Sequence, residues 1–165
     1  MMCAMTKRIT HDLTYDAPLE AVAAMLGDKA FREEVCEAQH VLSHDVTVTS
    51  PGSGPKVVTI DQKQSAASLP SFAKKIVGDS IHIVQEEDWT SSSEAAVTVV
   101  IPGKPGEMKG TARLSESGGV TTETVTLDIK VSIPLVGGKV EGLVADMLLR
   151  ALKTENRVGR DYLSR

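Results

Sequence analysis

Aromatic residues are scarce: one Trp, two Tyr and two Phe make up 3% of the 165 residues. A protein that stacks planar rings or single-stranded bases needs more aromatic faces than this. The shortage fits an aliphatic or lipid-like partner better. Cysteine is scarcer still, at Cys3 and Cys36 alone, so neither a disulfide framework nor a zinc site can be assembled. A basic excess is missing as well. The net charge is −4 and the pI near 5.6, which excludes a general nucleic-acid binder with its positive stripe. No window reaches the ~18 apolar residues of a membrane span, and Met1 to Arg8 carries no apolar core of signal-peptide length. No integral membrane segment is expected, and the cytoplasm is the default location. Lys104-Pro105-Gly106 and Val136-Gly137-Gly138-Lys139 lack the Walker spacing, so no phosphate loop is read there.

What is present suits one domain of ordinary size. Hydrophobic residues make up 41% and charged residues 24%, enough to bury a core without staples. Ile9, His11, Leu13 and Tyr15 alternate with Thr10, Asp12 and Thr14, the period of a half-buried strand over 7–15. Asp16 can cap and Pro18 can open a short helix, with Leu19, Val22, Met25 and Leu26 on one side and Gly27 as its stop. Asp28 starts a second helix carrying Phe31, Val35 and Cys36, to about Ala38. Strands follow at 41–49, 56–64, 80–89, 95–101, 108–114 and 120–133, separated by Gly- and Pro-rich turns. In the last of these Val125, Leu127, Ile129, Val131 and Ile133 share a face, and Pro134 closes it. Between two strands, Leu69-Pro70 to Gly78 reads as a short helix or lid-like insert.

The final helix is the clearest signal. At 100° per residue, Val140, Leu143, Val144, Met147, Leu148, Ala151, Val158 and Tyr162 fall on one side. Lys139, Asp146, Arg150, Lys153, Arg157 and Asp161 fall on the other, the division of a helix half-buried on a sheet. About 25 residues at the α-helical rise span ~37 Å, long enough to cross a sheet. The class is α+β: a curved antiparallel sheet, two short helices after strand 1, and a long C-terminal helix. A sheet curved around a helix leaves a concavity between them, where small ligands bind.

This order resembles the START-like (SRPBCC, helix-grip, birch pollen allergen-like) superfamily from Ile9 to Leu163. The matching pieces are Tyr15-Asp16-Ala17-Pro18-Leu19-Glu20-Ala21-Val22 and Ile133-Pro134-Leu135-Val136-Gly137-Gly138-Lys139-Val140-Glu141. Leu69-Pro70, Gln85-Glu86-Glu87-Asp88-Trp89 and the stretch from Ile133 to Glu141 look closest to an uncharacterised actinobacterial family within it. The resemblance implies a flexible N-terminus over 1–6 and a single START-like domain over 7–165. It also implies a hydrophobic or lipid-like ligand, with no metal and no redox cofactor.

Individual residues sharpen this. His11 shares a face with Ile9 and Leu13 and could orient a ligand or move a proton; the plainer role is a core histidine bonded to a carbonyl. Glu155 interrupts the helix's apolar face between Ala151 and Val158. Buried, it would be paired or serve as a general base; at a projecting helix end it would be solvated. Glu141 lies near the start of the last helix, where it suits the dipole and where capping is its plainer role. Trp89 could cap a pocket mouth or simply pack. Cys36 reads as a small buried apolar residue. His82 and Glu86 lie on the opposite parity, toward solvent. His40 and His44 are too few for a metal site.

The leading expectation is a non-enzymatic binder or carrier of a small hydrophobic molecule held between sheet and last helix. Leu13, Trp89, Leu127, Ile129, Val144, Met147, Ala151 and Glu155 are its expected lining. A polyketide cyclase or dehydratase using His11 and Glu155 is the alternative. A structural or regulatory module docking through a sheet edge or the last helix is a third. The sequence sets no oligomeric state.

Overall fold

The computed structural model describes residues 6–165. The segment expected to be flexible, apart from Thr6, lies outside the described residues, and so does Cys3. The order of elements is β1 (Lys7–Tyr15), α1 (Leu19–Leu26), α2 (Lys29–Ala38), β2 (Ser43–Thr49), β3 (Lys56–Ser65), α3 (Ser71–Val77), β4 (Ser80–Trp89), β5 (Glu94–Val100), β6 (Glu107–Ser117), β7 (Val120–Lys130) and α4 (Gly137–Leu163). The strands make one antiparallel sheet in the order β1-β7-β6-β5-β4-β3-β2. From β3 to β7 each strand lies beside the one before it, with α3 inserted between β3 and β4. The first strand pairs with the last, and α1 and α2 carry the chain between the sheet's two edges.

Alternation places one side of every strand in the core. Ile9, Leu13 and Tyr15 of β1, Val58 and Ile60 of β3, Val97 and Val99 of β5, and Val125, Leu127 and Ile129 of β7 are all buried. The main core lies between this face and α1, α2 and α4.

Several boundaries differ from the sequence reading, because tertiary partners take over backbone groups that local pattern leaves open. Asp16 does not cap α1. The free Leu19 N–H donates instead to Glu116 Oε1 of β6 at 2.6 Å. The second strand begins at Ser43 rather than Val41. The long last strand ends at Lys130, ahead of Pro134. The next N–H, on Val131, leaves the ladder and donates to Glu141 Oε2 at 2.8 Å. Glu141 therefore accepts from a backbone N–H ahead of the helix rather than capping α4's own first turn. It is buried, and it ties the exit of the sheet to the first turns of α4.

Other signals behave as read. Asp28 Oδ1 accepts from Ala30 N–H at the start of α2, and its other oxygen accepts from the Tyr162 hydroxyl. Gly78, with φ of 81°, ends α3 in a conformation that favours glycine.

The 27 residues of α4 span ~40 Å at the α-helical rise. Its C-terminal half lies against β1, where Asn156 and Arg160 donate to the Thr14 carbonyl at 3.0 and 3.1 Å. Gly159 allows that approach, since a Cβ there would stand 2.6 Å from Cε1 of Tyr15. The middle of the helix stands off β3 to β7. Val144, Met147, Leu148 and Ala151 are only half-buried there, although their side of the helix faces the sheet. No described helix is long and apolar enough to cross a membrane.

Candidate functional site

The space under the middle of α4 has two connected parts. The inner cavity, about 60 Å³, is bounded by Arg32 and Cys36 of α2, Glu87 of β4, Glu123 of β7 and Glu155 of α4, with Val97, Val99, Val125 and Leu127 as its floor. The outer cavity, about 120 Å³, is bounded by Leu69, Ala73, Ile76 and Val77 around α3, Ile81 and Ile83 of β4, and Val140, Leu143, Val144 and Met147 of α4. Gln39, Gln62, Gln85, Leu148 and Ala151 border both. A wider cleft lined by His40, Gln64, Ser68, Met147 and Arg150 shares Gln39, Leu69 and Ala151 with the outer cavity and leads to the surface. The result is one chamber with an apolar outer end, an amide waist and a charged inner end.

Strand parity and helix angle place the charged groups. Glu87 lies two residues from Trp89 on the buried face of β4, between Val58 of β3 and Val97 of β5. Glu123 lies two residues from Val125, between Leu13 of β1 and Leu114 of β6. Arg32 shares the inward face of α2 with Val35 and Cys36, three and four residues on. All are removed from water: Arg32 is 1% exposed, Glu123 3%, Glu87 5% and Glu155 9%.

Arg32 organises the cluster. Its Nε donates to the Leu26 carbonyl at 2.9 Å and its Nη2 to Glu87 Oε1 at 2.7 Å. Its Nη1 donates to Glu87 Oε2 at 3.1 Å and to Glu155 Oε1 at 2.9 Å. Glu87 also accepts from Gln85 Nε2 at 2.6 Å and from the Trp89 indole N–H at 3.0 Å. Glu123 Oε1 is buried with no hydrogen-bond partner.

Burial works against the Arg32 charge, but Glu87 and Glu155 outweigh it and hold its pKa above the ordinary value. Burial pushes Glu155 up to about 7, with Arg32 opposing the rise and Glu87 adding to it. Glu123 is pushed well above the carboxylate range by burial first, then by Glu155 and Glu87. Burial therefore favours the protonated forms of these carboxyls inside a cavity, an arrangement common where proton transfer or polar recognition occurs.

The expected lining residues divide. Leu127, Val144, Met147, Ala151 and Glu155 border the chamber. Ile129 borders a small adjoining apolar space of about 40 Å³ together with Val131, Ile133 and Val144. Leu13 and Trp89 are packed in the core and border neither cavity. Trp89 lies under Lys56, whose Nζ stands 5.5 Å from the ring centre, and its indole serves Glu87 rather than a pocket mouth. His11 is on the inner face, as its parity requires, but it is only half-buried on the edge strand β1 and borders neither cavity. It does not meet Glu155 in the chamber. Glu155, for which solvation at a projecting helix end was the plainer expectation, is instead buried and paired. Cys36 is buried, and burial pushes its thiol up to about 11. His82 faces outward, as expected, with Nε2 2.7 Å from Asp61 Oδ1.

Arg32, Glu87, Glu123 and the waist glutamines were missed by the sequence reading. Their parity and helix angle were the available signal. Among the described residues no group of three or more His, Cys, Asp or Glu side chains is arranged to hold a metal ion.

Uncharacterised proteins of Mycobacterium tuberculosis and Mycobacterium bovis are 33% identical over 109 residues, which are 62% of this chain. The chain spans 62% of the length of these relatives. Truncated norcoclaurine synthase from Thalictrum flavum superposes with a TM-score of 0.66 at 13% identity, covering 100% of this chain and 98% of that one. A Thermus thermophilus protein gives 0.65 at 17%, covering 94% and 95%. A Streptomyces aromatase/cyclase gives 0.63 at 14%, covering 98% and 95%. At these identities the likeness is one of fold, and that fold is the helix-grip architecture of a curved antiparallel sheet around a long C-terminal helix. Since its sequence profile matches residues 10–163, this chain belongs to the family described as a protein of unknown function, DUF2505.

Proposed function

We propose that the protein binds a small hydrophobic molecule in the chamber between the sheet and α4. The observation that carries this reading is the outer cavity. About 120 Å³ is left unfilled under a helix whose inward side chains, Val140, Leu143, Val144 and Met147, are all aliphatic or thioether. A protein interior normally closes such space, because an unfilled apolar void sacrifices packing. Retained next to a cleft that reaches the surface, it fits an occupant that enters and leaves. Helix-grip relatives support the same kind of occupant, since the aromatase/cyclase and norcoclaurine synthase structures carry names of enzymes acting on small organic molecules. Native mass spectrometry of the purified protein, followed by organic extraction, tests it. A bound small molecule, or uptake of an aliphatic probe, is the expected result. A protein that takes up nothing across an aliphatic series overturns it.

One observation favours an enzymatic version. Glu155 borders the inner cavity with a pKa of about 7, which suits a general acid or base at neutral pH. In that version a polyketide-like substrate enters tail-outward and Glu155 moves the proton. Glu155→Gln then abolishes turnover of such a substrate and leaves the fold intact, whereas retained turnover removes the role.

A further inference from the structure

We infer that the inner end of the chamber takes a cationic head group, so that the molecule bound is an amphipathic amine: a primary ammonium on an aliphatic chain. This rests on the chamber being the binding site, as proposed above.

Charge and hydrogen-bond inventory carry the inference. The titratable groups around the inner end are Arg32 and Cys36 from α2, Glu87 from β4, Glu123 from β7, Glu155 from α4 and Tyr15 from β1. Three are carboxyl groups and one is a cation. That cation is already committed, with Nε on the Leu26 carbonyl and both Nη atoms on carboxylates. Lys56, on β3, donates instead to the carbonyls of Gly52 and Gly54 at 2.8 and 2.9 Å. An incoming carboxylate or phosphate would find the one cation among the described lining residues engaged and three carboxyl groups beside it. Its charge would lie beside the Glu87 carboxylate and oppose ionisation of Glu123 and Glu155, which disfavours anions.

The opposite ligand fits. Glu123 is 3% exposed, borders the cavity and has an oxygen with no hydrogen-bond partner. A buried acceptor left without a donor is costly, and an ammonium supplies three donors and no acceptor. The amide waist of Gln39, Gln62 and Gln85 passes a polar head without fixing its sign, and the apolar outer end receives the chain. A cation beside Glu123 and Glu155 favours their ionised forms, so the amine arrives as its ammonium while the cluster releases a proton to solvent. Until then burial favours the neutral form of both carboxyls.

Calorimetric titration with decylamine, decanol and decanoate near pH 7, in two buffers of different ionisation enthalpy, tests this. The expected order is amine tightest by about tenfold over the alcohol, the worth of a charge-assisted hydrogen bond. Decanoate is expected to be weakest, and proton release is expected for the amine alone. Glu123→Gln is expected to narrow the gap between amine and alcohol. It is isosteric with the carboxyl it replaces, and Glu155→Gln provides the same comparison should it fold poorly. Equal affinities, or a preference for decanoate, overturn the amine assignment while the chamber reading stands. A full gap retained in both glutamine variants also overturns it. No binding of any of the three overturns the chamber reading and this inference with it.

Discussion

Arg32 and Glu87 form a two-pronged ion pair, Nη1 to Oε2 at 3.1 Å and Nη2 to Oε1 at 2.7 Å, with both side chains out of water. The pair joins α2 to the middle of the sheet, and Glu155 extends it to α4. Removing the guanidinium strands two buried carboxylates. Arg32→Met is therefore expected to destabilise the fold by ~3–5 kcal/mol, the usual result of breaking a buried pair on one side. Chemical denaturation measures it. A loss below about 1 kcal/mol would mean that the cluster relaxes into water on its own.

The raised carboxyl pKa values reverse the usual acid response. Glu155 has an ordinary value of 4.5 and a folded value of about 7, so between these the folded state holds more protons than the unfolded one. The stability this contributes is full below about 4.5 and is lost as the pH rises through 7. Glu123 acts in the same direction. Melting temperature is expected to fall between pH 5 and 8. The slope approaches ~1.4 kcal/mol per pH unit for each such group at most. Glu155→Gln should flatten the profile, and a stability that climbs over this range would contradict the reading.

Ala151 borders both cavities and the cleft that leads outward. Leucine at this position would extend into the space it borders. Ala151→Leu is expected to raise stability by about 1–2 kcal/mol while abolishing uptake of aliphatic probes. Thermal melting read beside probe binding separates these effects. Unchanged binding in a stabilised variant would rule out this passage.

Gly159 and Gly142 make an internal control on one helix. Alanine gains about 1 kcal/mol in helix propensity at either position. At Gly142 nothing lies within 4 Å of the added carbon, whereas at Gly159 it meets the buried Tyr15 ring at 2.6 Å. Gly142→Ala is expected to stabilise. Gly159→Ala is expected to be net destabilising, overpacking costing about 1–3 kcal/mol. Equal effects on the two melting temperatures would mean that α4 shifts freely across β1.

The fold was legible because its main signals are periodic. Alternation in β1 and the angular stripe of α4 reflect which atoms face the core, and each can be read within its own segment. Boundaries were less legible where the partner is remote: Glu116 is 97 residues from the Leu19 N–H it accepts. The chamber was half-legible. Val144, Met147 and Ala151 lay on an apolar stripe, and Glu155 stood out as its exception. Glu87, Gln62 and Glu123 occupied buried parity too, but polarity on a strand ordinarily means solvent, so parity alone ranks them low. Their partner Arg32 is 55 residues from Glu87 and 123 from Glu155, and no local pattern joins such positions. His11 shows the complementary limit. Parity gives the side of a strand but not its distance from the chamber, and β1 lies at the sheet's edge.

The waist glutamines belong to three elements, Gln39 just past α2, Gln62 in β3 and Gln85 in β4. The strands there are held by backbone ladders in which side chains take no part. The frame and its inserts are thus chemically separate. A descendant chain can exchange a waist amide such as Gln39 or Gln62 for a hydrophobe, one position at a time, and keep the same scaffold. Proteins sharing 13–17% of their residues with this one retain its outline. In that sense the sheet is a mould whose contents are recast by point substitution while its shape is kept.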